Sequence, residues 1–173
     1  MLPGPDVDEA EPDEKLDGYM SWLGIGPKFA VGSLLYTAAV VWVHAKYSDA
    51  MTLDQIPRSY AWAVGGVLVA AGLVVYFISL MQLRPVFGSG DLHTSGIYAY
   101  VRHPIYGCFI LLIVPGLVII ARSIPGITIP FVMYGLFRIF IDEEEQRLLA
   151  AFGDEYREYK RRVGALLPNR RNS

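Results

Sequence analysis

Arg102 and His103 stand at the head of an apolar run, in the stretch TSGIYAYVRHPIYGCFILLIVPG. A guanidinium is a permanent cation with a fork of donors, and an imidazole can donate, accept or pass a proton near neutral pH. Much later in the chain come three consecutive carboxylates, Glu143, Glu144 and Glu145. A basic pair facing an acidic run, with Tyr98, Tyr100 and Tyr106 nearby, suits a zwitterionic ligand. A ligand carboxylate meets Arg102 or backbone N–H groups, and an ammonium meets a glutamate. Tyrosine faces can hold a sulfonium or quaternary cation. An amino acid joined to a cation describes S-adenosylmethionine, and a phospholipid head group satisfies the same chemistry.

Simpler roles compete for these residues. Arg and Tyr are common anchors at a membrane interface. Carboxylates suit the N-terminus of a helix, and Pro104 is ordinary in a first helical turn. His44 reads as an interfacial residue at the far end of an apolar segment. His93, His103 and Cys108 lack a compact metal-ligand pattern, so no metal is expected. Cys108 is the single cysteine; it excludes an internal disulfide and reads as a small packing residue. There is no glycine-rich phosphate loop after a strand and no evident Ser/His/Asp set. Nothing points to nucleic acid, and the oligomeric state is open.

The elements that position these residues follow from charge spacing. Hydrophobic residues make up 53% of the 173 and charged residues 18%. No charged side chain lies between Lys28 and Lys46, Arg58 and Arg84, Arg102 and Arg122, or Arg122 and Arg138. A membrane span needs roughly 17–25 mostly apolar residues. These gaps predict an all-α integral membrane protein with spans at about 27–45, 59–83, 104–121 and 123–141. The turn ARSIPG makes the last two a tight antiparallel hairpin, which brings Arg102 and His103 to the same end as Glu143–Glu145. Pro115, Gly116, Pro125 and Pro130 predict kinks. Residues 1–24 carry most of the chain's early acids and read as a disordered acidic tail, leaving 25–173 as the membrane domain. After the fourth span, Leu148, Phe152, Tyr156, Tyr159 and Val163 form one apolar stripe, predicting an amphipathic helix over 142–163 that closes over the span ends. Phe152-Gly153-Asp154 is a point of interruption. Basic residues gather on the side of the termini and the Arg102 loop, while Lys46, Arg58 and Arg122 mark the other; this places the termini and the loop in the cytoplasm.

HTSGIYAYVRHPIYG and EEEQRLLAAFGDEYREYKRRVGALLP, taken in this order across a hairpin, resemble the isoprenylcysteine carboxyl methyltransferases and the related phospholipid methyltransferases. The resemblance covers about residues 84–168. It implies a membrane methyltransferase that uses S-adenosyl-L-methionine from the cytosol and a lipophilic acceptor entering sideways from the bilayer lipids. Position by position, it implies that Gly90, Asp91, Leu92, His93, Tyr98, His103, Pro104, Ile105 and Tyr106 line the cofactor pocket and that Glu144 takes the cofactor's amino group; the residue chemistry adds Arg102 as a partner for the cofactor's carboxylate. His103 and Glu145 are the nearest groups for a proton. Carboxyl-methylating members carry an arginine four residues before the cofactor glutamate; here that position is Phe140. Arg138 could replace it only where the helix is irregular, since it lies roughly 200° away on a regular one. This leaves room for an amine or thiol acceptor, and a lipid- or partner-binding membrane protein without catalysis is the contrasting class.

Overall fold

The computed structural model describes residues 26–83 and 91–169. The acidic tail, Arg84 to Gly90 and the last four residues lie outside them, so the expectations for residues 1–24 and for Gly90 are not addressed by the fold. Among the described residues, four helices are long and apolar enough to cross a membrane: α1 (Gly26–Lys46), α2 (Arg58–Leu83), α3 (Pro104–Ala121) and the segment containing α4 (Thr128–Arg162). The protein is an all-α, multi-pass membrane protein. Its apolar residues show the inverse of a soluble bundle. Leu34, Leu35, Trp42, Val67, Phe77, Met81, Leu117, Phe131 and Ile139 are all exposed on the outside. Those positions are where lipid takes the place of water.

The interior is small and local. Phe29 and Val40 of α1 pack with Ile110 of α3 and with Ile129, Met133, Phe137 and Ile141 of α4. The spacing of the α4 residues, four apart, makes one stripe facing its neighbours. α2 packs against α3 through glycine. A Cβ placed on Gly65 would sit 2.5 Å from the Gly116 carbonyl oxygen, and one on Gly116 would sit 2.7 Å from that of Gly65. Small residues allow this backbone approach, which in a bilayer supplies the packing that apolar burial cannot. Gly116→Val is therefore expected to lower stability by about 1–3 kcal/mol, the range for overpacking. Thermal unfolding in detergent checks it, and an unchanged midpoint would mean the two helices can part freely.

α3 changes pitch once. Residues Phe109–Ile113 form a π-helical turn between two α-helical pieces. Pro115 has no N–H and its ring crowds the carbonyl four residues back, so a widened turn just before it relieves both. After α3, Arg122 takes a left-handed conformation (φ 50°). The Ser123 hydroxyl then accepts from the Gly126 N–H at 3.1 Å, closing the turn into α4. The Arg122 guanidinium donates to the carbonyl of Ile56 at 3.1 Å and pairs with Asp54 at 3.4 Å, tying this turn to the α1–α2 connection.

The expected division between a fourth span and a tail helix near residue 142 is absent. α4 runs on without a break through the three glutamates and departs from helical geometry at Gly153 alone (φ 54°, ψ −125°). Glycine is the residue that adopts this conformation without steric cost. The change of direction is large. One Arg102 guanidinium reaches both the Glu145 carboxylate and the Val163 carbonyl, each at 2.5 Å. A straight helix would hold residues 145 and 163 about 27 Å apart. The second limb therefore folds back beneath the first. Its buried face is the stripe read from the sequence: Tyr156, Tyr159 and Val163, with Leu148, Phe152 and Leu92 packed against them.

Candidate functional site

The fold-back and the α3–α4 hairpin bring the polar residues to one end of the bundle. Arg102 is held first by backbone. Its N–H donates to the Gly164 carbonyl at 2.9 Å, and that of His103 donates to Ala165 at 3.0 Å. The strap after α4 thus runs beside the segment that opens α3. The Arg102 side chain is 9% exposed. Its Nε and Nη2 donate to Glu145 Oε1 at 3.2 and 2.5 Å, and its Nη1 donates to the carbonyls of Lys160 and Val163. The Lys160 ammonium meets Glu145 Oε2 at 2.6 Å. Four of the five Arg102 N–H donors and both Glu145 oxygens are thus engaged by protein groups.

Burial by itself raises the pKa of Glu145. Hydrogen bonds from His103, Lys160 and Arg102, together with the Arg102 charge, outweigh it and hold this carboxyl well below the usual carboxylate range. A depressed folded pKa means the stability it contributes is fully present at neutral pH. That contribution is lost as pH falls below the ordinary carboxylate value and through the folded one.

Glu144 is placed differently. It accepts from the Tyr106 hydroxyl at 3.0 Å, and His103 Nδ1 lies 3.6 Å from its other oxygen. His103 Nε2 points to Glu145 at 3.4 Å, so each ring nitrogen faces a carboxylate. The Glu144 side chain keeps 16% exposure and has room for a further donor. Glu143 points away, to Lys28 at 3.3 Å and Arg147 at 2.6 Å on the surface. On the bilayer side the site is walled by aromatic rings. Tyr106 meets Phe29 edge-on with centroids 5.0 Å apart, and Phe137 lies 5.5 Å from Tyr106 and 5.9 Å from His103.

The other anticipated site residues divide. Tyr98 is buried and its hydroxyl donates to the Ser79 carbonyl. His93 stacks edge-on against Tyr98 at 5.2 Å, and Leu92 packs on the fold-back limb. Pro104 is buried in the first turn of α3, and the Ile105 carbonyl accepts from the Cys108 thiol. Asp91 is exposed. Arg138 is also exposed, one residue past Phe137, and the helix there is regular. It is not brought to the His103–Glu144 cluster, and Phe140 packs against the core instead.

Tyr156, Tyr159 and Lys160 belong to the cluster, although the sequence marks the tyrosines only as part of an apolar stripe and Lys160 only as one of the tail's basic residues. The signal was available: two tyrosines on a buried face bring two hydroxyls that must find partners. The Tyr159 hydroxyl donates to the Tyr98 carbonyl at 2.6 Å, and burial pushes its pKa up to about 12. Among the described residues, two atoms at this end are buried without a hydrogen-bond partner, His93 Nε2 and Tyr156 Oη. A buried polar group left unpaired costs about 1–3 kcal/mol. A carboxylate with spare capacity and two unpaired polar atoms, beside aromatic walls, fit a small ligand with a cationic end and several polar groups.

Residues 66–150 match the profile of the isoprenylcysteine carboxyl methyltransferase (ICMT) family. The chain is 39% identical over 153 residues to the human protein-S-isoprenylcysteine O-methyltransferase, covering 79% of this chain and 52% of that one. It is 34% identical over 77 residues to the Schizosaccharomyces pombe protein of the same name, covering 44% and 33%. It is also 40% identical over 81 residues to methanethiol S-methyltransferase 1 of Bradyrhizobium diazoefficiens, covering 46% and 27%. The chain spans about half the length of the first of these relatives.

Proposed function

We propose, from the premise that residues 66–150 belong to the isoprenylcysteine carboxyl methyltransferase family, that this chain is a membrane methyltransferase using S-adenosylmethionine and a lipophilic acceptor. The observation that carries this reading is the convergence of His103, Tyr106 and Glu144 at the membrane edge, with one carboxylate spare and one sealed. When bound, the donor supplies an electrophilic methyl carbon: the acceptor atom bonds to it while the carbon–sulfur bond breaks and its electron pair stays on sulfur. The chain's own part is alignment and exclusion of water. Glu144 receives the donor's ammonium, and Tyr106 fixes that carboxylate by hydrogen bond. Phe29, Tyr106 and Phe137 keep the bilayer side dry and apolar, which suits a lipophilic acceptor approaching between α1, α3 and α4. Where the acceptor carries a proton, His103 Nδ1, 3.6 Å from Glu144 and not spent on Glu145, is the group beside the site to take it, since Glu145 is engaged by Arg102, Lys160 and His103 Nε2. The basic residues Arg102, Arg147, Arg157, Lys160, Arg161 and Arg162 at this end support a cytoplasmic site.

Carboxyl methylation of a prenylcysteine is the first reading of the acceptor. A thiol is the second, favoured by Phe140 at the expected arginine position and by the methanethiol-methylating relative. Wild-type activity on a prenylcysteine analogue against methanethiol separates them, and Arg138→Ala then asks whether Arg138, exposed and away from the cluster, serves an acceptor carboxylate. If Arg138 serves an acceptor carboxylate, the variant loses transfer to a prenylcysteine analogue while keeping affinity for the donor. If the acceptor is a thiol, the wild type is poor on that analogue and active on methanethiol, and the variant changes neither.

The donor part of the proposal is tested by calorimetry with S-adenosylhomocysteine in detergent. Saturable binding, weakened in His103→Ala, is expected. The absence of any binding to the wild type would remove the reading and leave a lipid- or partner-binding protein.

A further inference from the structure

We infer that the Tyr156 hydroxyl is a hydrogen-bond partner of the donor's amino-acid end, and so a residue of the donor site; the inference rests on the reading that a sulfonium donor binds beside His103 and Glu144. Tyr156 is 1% exposed, yet its hydroxyl has no hydrogen-bond partner among the described residues. Tyr159, less than one turn further on, is equally deep, but its hydroxyl is spent on the Tyr98 carbonyl. The two rings lie 6.1 Å apart. The same stripe thus provides one tyrosine that fastens the loop and one whose polar end is left over.

Position explains what that end can meet. Tyr156 lies eleven residues beyond Glu145, about 16 Å along a straight helix. The turn at Gly153 cancels that separation, and the fold-back returns Tyr156 to the electrostatic reach of Glu145, Arg102 and Glu144. The Arg102 guanidinium, which sequence alone offers as the partner of a ligand carboxylate, is consumed by Glu145, Lys160 and Val163. With Glu144 taking the ammonium, the carboxylate of the same amino acid needs a neutral donor close by. A phenol held protonated by burial is such a donor. His93 Nε2, also unpaired, stands beside Tyr98 on the loop that closes this end and is available to a more distant polar group of the ligand.

The test compares two ligands on the intact protein in detergent by calorimetry: S-adenosylhomocysteine and 5′-methylthioadenosine, which lacks the amino-acid end. Tyr156→Phe is expected to weaken S-adenosylhomocysteine by about tenfold or more, the scale of one hydrogen bond to a charged group, and to leave methylthioadenosine unchanged. The variant's unfolding temperature without ligand should not fall, since a buried unpaired hydroxyl costs the free protein stability instead of adding to it. Tyr159→Phe, which does lose a protein hydrogen bond, should lower that temperature and leave the ratio of the two affinities as in the wild type. Unchanged S-adenosylhomocysteine affinity in Tyr156→Phe would overturn the inference, as a buried water would then satisfy the hydroxyl. Equal losses for both ligands, or a fall in unfolding temperature, would also overturn it by showing a structural role. A wild type that binds neither ligand would defeat the donor reading itself.

Discussion

Glu145→Ala loosens the protein rather than merely slowing it. The substitution removes the acceptor of two Arg102 donors and the partner of Lys160, leaving a guanidinium that is 9% exposed without its counter-charge. Breaking a buried pair from one side costs about 3–5 kcal/mol, against about 0.2–1 kcal/mol for an exposed pair such as Lys28–Glu143. Arg102→Ala should cost a comparable amount, and the double variant much less than the sum, because both remove the same interaction. Unfolding midpoints of the four proteins in detergent check this. Additive losses would show that the two side chains act separately. Acid should mimic the variant: stability falls progressively below the ordinary carboxylate range as Glu145 takes up a proton, and this acid-sensitive component should be missing from Glu145→Ala.

Glu144→Ala should have the opposite profile, with little effect on folding and a large one on ligand. Glu144 holds one hydrogen bond from Tyr106 and keeps capacity for an ammonium. A hydrogen bond to a charged group contributes about 1.5–3 kcal/mol, so S-adenosylhomocysteine affinity should drop by about tenfold or more. Glu143→Ala, which breaks only surface pairs with Lys28 and Arg147, should leave it unchanged. Equal and negligible effects of the two substitutions would reduce the glutamate run to a solvated stretch of helix. On the proposed reading the two neighbouring carboxylates separate by role, Glu145 holding the fold-back together and Glu144 receiving the ligand.

Much of this was legible in the sequence because its cause is local. Long charge-free runs with breakers between them mark the four apolar helices, and ARSIPG leaves so little chain that α3 and α4 must return side by side. That alone brings Arg102 and His103 to the glutamates. The stripe from Leu148 to Val163 is likewise a property of helix periodicity, and it is the buried one.

What the sequence leaves unread depends on tertiary geometry. Gly153 is visible as a weak point, but its backbone angles decide whether the helix bends slightly or folds back. Only with the fold-back does Arg102 find carbonyls at Lys160 and Val163, and only then does it become a structural residue in place of a free cation. The close approach of Gly65 and Gly116 is hidden for the same reason, since each glycine is meaningful only opposite the other. The π-helical turn before Pro115 records a strain that sequence marks as a kink without giving its form.

The central claim is that this membrane bundle transfers a methyl group at the His103–Glu144 cluster. It is tested most directly by incubating the reconstituted protein with S-adenosylmethionine labelled in the methyl group and membrane extracts, then measuring label in the lipophilic fraction. The wild type should place label on an extractable acceptor, and Glu144→Ala, folded to the same extent, should place far less. Incorporation that is equal in the two proteins, or absent from the wild type with every extract, would contradict the account.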